Sequence, residues 1–384
     1  MGKIVYLCHY ARHGDNRKVN LAAMTYADYV LGVIRSLGYP ITIVSPAQSP
    51  KFSGPVTTQT ENGDKLVYIS SYGFFSMKCA HLTNFFNKRE LIKVLDKELE
   101  DGDILIVYHS IWYMDMLGKV LKKKKVKLVF QVNEFYSDVY QNPKLKGPEI
   151  EYLKLAEAYI FTSRKQAEYL QAEKKPSTII QGTCFVDAAK QEEVLLARRT
   201  HTTNAMKHIV YAGVFEKRKG VGNAIMMARY LDQSYCIHII GFGSKDQIEE
   251  MKKDIAESNS VSSCKIVYDG CLKGKEYEDY LLKCDIGLCT QNKNASFNET
   301  SFPSKIMSYM ANGLRVVCVR IPAIENSFVK DSVFFYDEDS PQAIAECVKK
   351  IDFNDDYDSL EVLRKEDSRI AADLKSIINR LLTK

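Results

Sequence analysis

Several marks of secretion, metal ligation and membrane insertion are missing from this sequence. Its ten cysteines include no C-x-x-C pair, and no H-E-x-x-H or zinc-ligand spacing occurs. Cys8, Cys236, Cys289 and Cys318 sit inside apolar, strand-like runs. They read as small buried hydrophobes in a reducing compartment, not as a disulfide frame. No stretch comes near the roughly 20 apolar residues that a membrane span needs. No signal peptide precedes the first strand-like run, residues 4–8. A cytoplasmic chain is expected. An excess of one charge is also missing: the net charge is +5 over 384 residues, with Lys and Arg dispersed among Asp and Glu. That balance argues against nucleic acid as a partner. The exception is the lysine-rich stretch 119–127. It reads either as a solvated helix end or as a patch touching anionic lipid at the inner face of a membrane.

What is present is regular. Short apolar runs at 4–8, 41–44, 67–69, 104–108, 128–132 and 159–162 alternate with amphipathic segments such as 21–37, 89–98 and 164–171. Strands separated by helices argue for a parallel sheet with helices on both faces. After Gly182 the pattern weakens, and a second series begins at 208–212, continuing at 236–240, 265–268, 286–290, 316–319 and 333–336. The expected organisation is an α/β domain at 1–186, a polar linker at 187–207, a second α/β domain at 208–355 and a tail helix at 356–384 packing back across the domains. Two such domains would face each other across a cleft, and ligands of open parallel sheets bind beyond the carboxyl ends of the strands.

The residues after those strands are therefore the candidates. Gly213 to Gly220 is a glycine-bounded loop with three cations, Lys217, Arg218 and Lys219, just before a helix. It can focus positive potential on an anion, although it lacks the Walker spacing. Gly241 and Gly243 follow the next strand and allow a ligand close to the backbone; Tyr268 follows the third and can line a base pocket. In the first domain, His13, Gly14 and Asp15 follow the first strand, His109 follows 104–108, and Asn133 and Glu134 follow 128–132. Each reads either as an acceptor-side contact or as a plain polar strand end. Asp101-Gly-Asp103 mimics a D-x-D metal motif but precedes its strand, so it reads as a turn.

The most informative segment is 301–313. Pro303 suits a first helical position, Ser301 can cap the free amides, and Gly313 suits a left-handed helix stop. Ser304 and Lys305 add a hydroxyl and a cation to the positive end of that helix, a combination that favours a phosphate.

These residues resemble a known family. The 211–220 loop with Lys219-Gly220, the Gly241/Gly243 turn and Phe302-Pro303-Ser304-Lys305 leading to Gly313 are similar to retaining GT-B glycosyltransferases of the group 1, or family 4, type. The polysaccharide-assembly branch carries the nearest form of the 302–313 segment. The resemblance implies two Rossmann-like domains and a nucleotide-diphosphate sugar as substrate, a UDP-sugar ahead of a GDP-sugar. It implies no cofactor and no metal. Lys219, Arg218 and Lys305 would carry the catalytic charge. Gly213, Gly241, Gly243, Tyr268, Glu299, Phe302, Pro303, Ser304 and Ser308 would line the donor. The acceptor, a glycan or lipid-linked glycan, would meet His13, Gly14, Asp15, His109, Asn133 and Glu134.

The chain departs from the family where two Glu residues eight positions apart are common. Thr300 and Ser308 stand there, with Glu299 one position off. Val214 replaces a frequent Arg, and Arg218 is the nearest substitute. Two alternatives stay open: an epimerase or hydrolase on the same scaffold, and a catalytically silent sugar-nucleotide-binding subunit. Against a dehydrogenase, Gly241-Phe-Gly243 lacks the third glycine of the dinucleotide fingerprint.

Overall fold

In a computed structural model, residues 2–73, 80–202, 206–294, 298 and 302–383 are described. The chain divides into two compact units, Met1–Thr183 with Ser368–Lys384, and Cys184–Asp367.

The first unit holds ten strands among its described residues: β1 (Ile4–Leu7), β2 (Ile41–Ser45), β3 (Phe52–Ser53), β4 (Val56–Gln59), β5 (Lys65–Tyr68), β6 (Ser71–Tyr72), β7 (Ile104–Tyr108), β8 (Lys127–Val132), β9 (Ala158–Phe161) and β10 (Ser177–Ile179). Eight form one sheet in the order β10-β9-β8-β7-β1-β2-β5-β4, while β3 and β6 pair separately. Only the β4–β5 edge of the large sheet is antiparallel. The central strands are buried along their length, as parallel strands covered on both faces must be. Val5, Leu7, Leu105, Val107, Phe130 and Phe161 share one core cluster.

The sheet edge, the stretch after Gly182 and the tail each add to the sequence pattern, and only the linker expectation changes. The polar run Val56–Gln59 is a strand, because the turn at Gly63 (φ +86°) folds it back on Lys65–Tyr68 as an exposed edge. The stretch 187–207, expected as a linker, carries the helix Ala188–Thr202, built from good helix formers and anchored by Arg198. The Arg198 guanidinium donates to the carbonyls of Cys284 (2.8 Å) and Leu282 (3.1 Å) within the second unit. The tail helix Ser359–Leu382 starts in the second unit, where the Ser359 hydroxyl donates to the Met310 carbonyl at 2.7 Å. It ends in the first, where Tyr39 donates to Asn379 at 2.6 Å and Thr178 to Asp373 at 3.0 Å.

The second unit has six parallel strands among its described residues: β11 (Lys207–Val214), β12 (Tyr235–Phe242), β13 (Lys265–Tyr268), β14 (Ile286–Cys289), β15 (Arg315–Val319) and β16 (Val333–Tyr336). Their order is β13-β12-β11-β14-β15-β16. This is the doubly wound arrangement, and its direction of winding reverses between β11 and β14. The crevice beyond the carboxyl ends of those two strands is where such sheets hold ligands. Of the nine described cysteines, Cys271 alone is exposed. Among the described residues no helix is long and apolar enough to cross a membrane.

Candidate active site

The reversal point is held open by one side chain. β11 pairs with β12 from Lys207↔Tyr235 to Val214↔Phe242, but with β14 only at Ile209↔Ile286 and Val210↔Gly287. Beyond that, Tyr309 of the helix Lys305–Ala311 fills the gap. Its hydroxyl accepts from the Ala212 amide at 2.8 Å and donates to the Leu288 carbonyl at 3.3 Å. Position 287 must be glycine, since a Cβ there would lie 2.4 Å from the Tyr309 ring. The wedge fixes the helix against the strand ends and brings Lys305 to Gly213.

Lys305 is the central charge. Its Nζ lies 4.1 Å from the centroid of the Tyr211 ring, and 3.2 Å from where a Gly213 Cβ would be. Any larger residue at 213 would therefore crowd the ammonium. Among the described residues no carboxylate pairs with Lys305. Burial pulls the ammonium down to about 8, and the nearby charge of Lys219 adds to that. Tyr211 also ties the loop, its hydroxyl lying 3.0 Å from the Val214 carbonyl and 3.2 Å from the Lys219 carbonyl.

The loop itself ends at Gly220, which sits at φ +80°. A Cβ there would lie 1.6 Å from the Thr290 carbonyl oxygen. The Thr290 hydroxyl donates back to the Gly220 carbonyl at 2.9 Å, and the Asn292 amide to that of Arg218 at 3.0 Å. The three expected cations part company. Lys217 is exposed and pairs with Glu250 at 2.9 Å, and Arg218 is exposed and pairs with Glu216 at 2.5 Å. Lys219 is half-buried and acts on both Lys305 and the Cys289 thiol. The expected role of Arg218 thus meets a competing carboxylate two residues away.

The glycine turn stands beside the loop. Gly241 (φ +141°) is the register partner of Gly213, and a Cβ there would lie 1.8 Å from the Gly213 carbonyl oxygen. Gly243 precedes the helix Lys245–Val261, which Ser244 and Gln247 cap reciprocally. Tyr268 is half-buried at the end of β13, edge-on to Phe215 at 5.8 Å.

The 302–313 segment differs from expectation at its start. The helix begins at Lys305 with Ser304 as N-cap, so Pro303 lies outside it and takes part in a tight turn that ends with Ile306 N–H donating to Pro303 O at 3.1 Å. Ser304 is exposed, and its hydroxyl caps nothing. Phe302 is buried and anchors the turn. The stop is as expected: Gly313 is left-handed at φ +75°, with Leu314 N–H bonded to Tyr309 O and Gly313 N–H to Met310 O. The Ser308 hydroxyl contacts the Tyr277 hydroxyl at 3.2 Å. Glu299, Thr300 and Ser301 lie outside the described residues.

A cavity of about 430 Å³ borders the loop through Lys217, Gly220 and Thr290, but Glu250 and Asp254 also line it. Carboxylates there oppose a diphosphate.

In the first unit the expected acceptor residues separate into two groups. Asp15 is held by both Nε and a terminal nitrogen of Arg12 (3.1 Å each) and by the Tyr68 hydroxyl (2.7 Å). The Arg12 hydrogen bonds keep its carboxyl below the usual range. His13 and Gly14 are exposed on the same turn, where Gly14 adopts φ +83°. His109 does not face solvent: it is fully buried, with Nε2 2.7 Å from Glu149. Glu149 also accepts from the Tyr136 and Ser137 amides at 2.7 and 2.9 Å. Burial pushes the Glu149 carboxyl up, but the His109 and Ser137 hydrogen bonds outweigh it and leave the group below its ordinary value. Asn133 donates to the Tyr108 hydroxyl at 2.8 Å and accepts from Gln131 at 3.3 Å, with half-buried Glu134 next to it. Tyr211, Tyr309, Thr290 and Glu149 were not singled out from the sequence. Only the tyrosines carried any signal, as hydroxyls in otherwise apolar runs.

Comparison with known proteins bears on both units. Residues 206–351 match the family model described as glycosyl transferases group 1. No curated protein sequence matches the chain. Among solved structures, the E. coli trehalose-6-phosphate protein bound with UDP-2-fluoro glucose is similar, at TM-score 0.70 and 10% identity, over 100% of this chain and 99% of that one. Sucrose-phosphate synthase from Thermosynechococcus elongatus is similar at 0.67 and 12%, over 99% of each chain. The trehalose 6-phosphate synthase of Burkholderia multivorans matches at 0.68 and 10%, over 99% and 98%. The chain therefore has the GT-B fold, and its residues 206–351 are similar to the group 1 glycosyl transferases.

Proposed function

We propose that the protein is a glycosyltransferase that moves a sugar from a nucleoside-diphosphate sugar to a glycan or lipid-linked glycan. The observation that carries this reading is the half-buried Lys305 ammonium, without a carboxylate partner among the described residues, set beside Lys219 at the reversal point of the second sheet. In the transfer, the bond from the anomeric carbon to the diphosphate breaks and a bond to an acceptor oxygen forms, with the acceptor proton leaving on the diphosphate side. Charge builds on the departing diphosphate, so fixed cations act most strongly at the transition state. Lys219 and Lys305 supply that charge in place of a metal, and Arg218 can join them only by leaving Glu216.

Donor contacts follow from the same geometry. The backbone at Gly213, Gly241 and Gly243 admits close approach, Tyr268 lines the base side, and the turn at Phe302, Pro303 and Ser304 borders the phosphates. Ser308 belongs to the ribose end, and Glu299, outside the described residues, is assigned to the sugar from the family resemblance alone. A UDP-sugar is the favoured donor, and transfer proceeds with retention. A neighbour of the same fold binds UDP-2-fluoro glucose, and glycosyltransfer with retention is the subject of another, a trehalose-6-phosphate synthase. Acceptor recognition is assigned to the first unit, through His13, Gly14, Asn133 and Glu134, while Asp15 and His109 shape those turns from within. Lys122, Lys123 and Lys125, exposed after the helix Met114–Leu121, are the proposed contact with anionic lipid at the cytoplasmic face.

A melting-temperature screen against UDP-, GDP- and ADP-sugars, followed by product analysis with glycan, lipid-linked and sugar-phosphate acceptors, tests this reading. A selective shift with UDP-sugars and sugar transfer support it. Donor hydrolysis or epimer formation without acceptor points to the isomerase or hydrolase reading. Binding without turnover, which Ser308 in place of a carboxylate favours, points to a silent subunit. No shift with any donor overturns the donor site.

A further inference from the structure

At the amino-terminal half of the second sheet, away from the loops described above, His208 on β11 and Cys236 on β12 are register partners, and His238 lies two residues further along β12. Alternation along the strands puts all three side chains on one face. One ligand atom from each lies within 4.8 Å of the other two. His208 Nδ1 and His238 Nε2 lie 2.9 Å apart. The second nitrogen of His238, Nδ1, is 3.1 Å from an Asp269 carboxylate oxygen and 2.7 Å from the Tyr280 hydroxyl.

This second contact decides the chemistry of the first. A carboxylate only accepts, so Asp269 fixes the His238 proton on Nδ1 and leaves the Nε2 lone pair facing His208 and Cys236. A carboxylate behind an imidazole whose other nitrogen is bare is the usual support of a metal-binding histidine. We propose that His208, Cys236 and His238 bind one divalent ion of the zinc class, with Asp269 as a positioning residue. Two imidazoles and one thiolate are a borderline-soft set that suits zinc, with a fourth position left for water. The thiol proton of Cys236 leaves to solvent when the Zn–S bond forms. Tetrahedral bonding with Zn–N near 2.0–2.1 Å sets the two nitrogens about 3.3 Å apart, so the rings need to part by only about 0.4 Å.

The His238 and Asp269 side chains keep 15% and 24% of their surface exposed, which leaves a route in. His208 precedes Gly213 by five residues on β11, about 16 Å at the usual rise. The ion would thus tie β11 to β12 at the end of the strands remote from Lys305, as a structural clasp. Motif spacing could not reveal it, because the ligands are brought together by strand register across 28 residues of sequence.

The test uses the full chain, stripped with chelator and titrated with Zn²⁺ alone and Co²⁺ alone. One ion per chain, a rise in melting temperature and a thiolate-to-cobalt absorption band are expected. Cys236→Ser should lose the band, and His208→Ala the tight binding. Asp269→Asn, at a partly exposed position, should keep the fold by circular dichroism but weaken affinity by about 10–100-fold. Cys271→Ser, at the exposed cysteine, should change nothing. Cobalt binding without a thiolate band, or a stoichiometry unaltered in a folded His208→Ala variant, would overturn the site. The 2.9 Å contact would then be a plain hydrogen-bonded relay from Asp269 through His238 to His208.

Discussion

Replacing Lys305 with methionine should raise the stability of the free protein while removing most of its activity. The ammonium titrates at about 8 where a free lysine titrates at 10.5. At about 1.4 kcal/mol per tenfold, keeping it charged at pH 7 costs the fold about 3 kcal/mol. The Tyr211 ring returns about 1–2 kcal/mol through its cation–π contact. The part of the side chain that water still reaches lowers the cost again. Methionine matches the stem without the charge, so the expected gain is about 1–2 kcal/mol at pH 7. The sign with pH follows from the lowered value. Below pH 8 both folded and unfolded lysine are charged and the full penalty applies. Between 8 and 10.5 the folded form has lost its proton while the unfolded form keeps it, so wild-type stability rises and the advantage of methionine fades. Above 10.5 the two proteins should be nearly equal. Urea unfolding at pH 7, 9 and 10.5 reads the stability, and donor turnover reads the function, expected to fall about 10²–10³-fold. A variant less stable than wild type at pH 7 by more than about 1 kcal/mol would mean that the charge is already compensated, and the reasoning would fail.

Other expectations follow from single contacts. Lys219→Ala should lower kcat by about 10²–10³ with an unchanged melting curve, since its stem is only half-buried; steady-state kinetics on the active donor checks it. Gly220→Ala forces a left-handed alanine and a Cβ 1.6 Å from the Thr290 oxygen, so the loop must shift. A loss of at least about 2 kcal/mol is expected in chemical unfolding, and weaker UDP binding should accompany it. Tyr309→Phe leaves the Ala212 amide without its acceptor, and should cost about 1–3 kcal/mol in the same assay.

The two parallel units were legible because strands buried on both faces are uninterrupted apolar runs; Ile104–Tyr108 has the same bounds in sequence pattern and structure. Edge strands lack that mark. Val56–Gln59 is mostly exposed, and only the Asn62-Gly63 pair hinted at its hairpin. The helix Ala188–Thr202 was hidden by its polar composition, which outweighed its helix formers. In the loop, glycines and cations were visible, but not which cation turns inward. That depends on Glu250, a carboxylate 33 residues from Lys217 that only the fold brings near. The burial of His109 is hidden for the same reason: its partner Glu149 is 40 residues away. Tyr309 looked like another apolar helix residue, and its hydrogen bonds to two strands follow from how far the sheet opens, which pattern does not encode.

The claim that Lys219 and Lys305 hold the donor diphosphate is tested most directly by calorimetric titration of UDP into the wild type, Lys219→Ala, Lys305→Met and the double variant at pH 7. Each single change should weaken binding by roughly tenfold or more, at 1.4 kcal/mol per decade, and the double change should abolish it while the protein stays folded. UDP binding of equal strength in all four proteins would contradict the account.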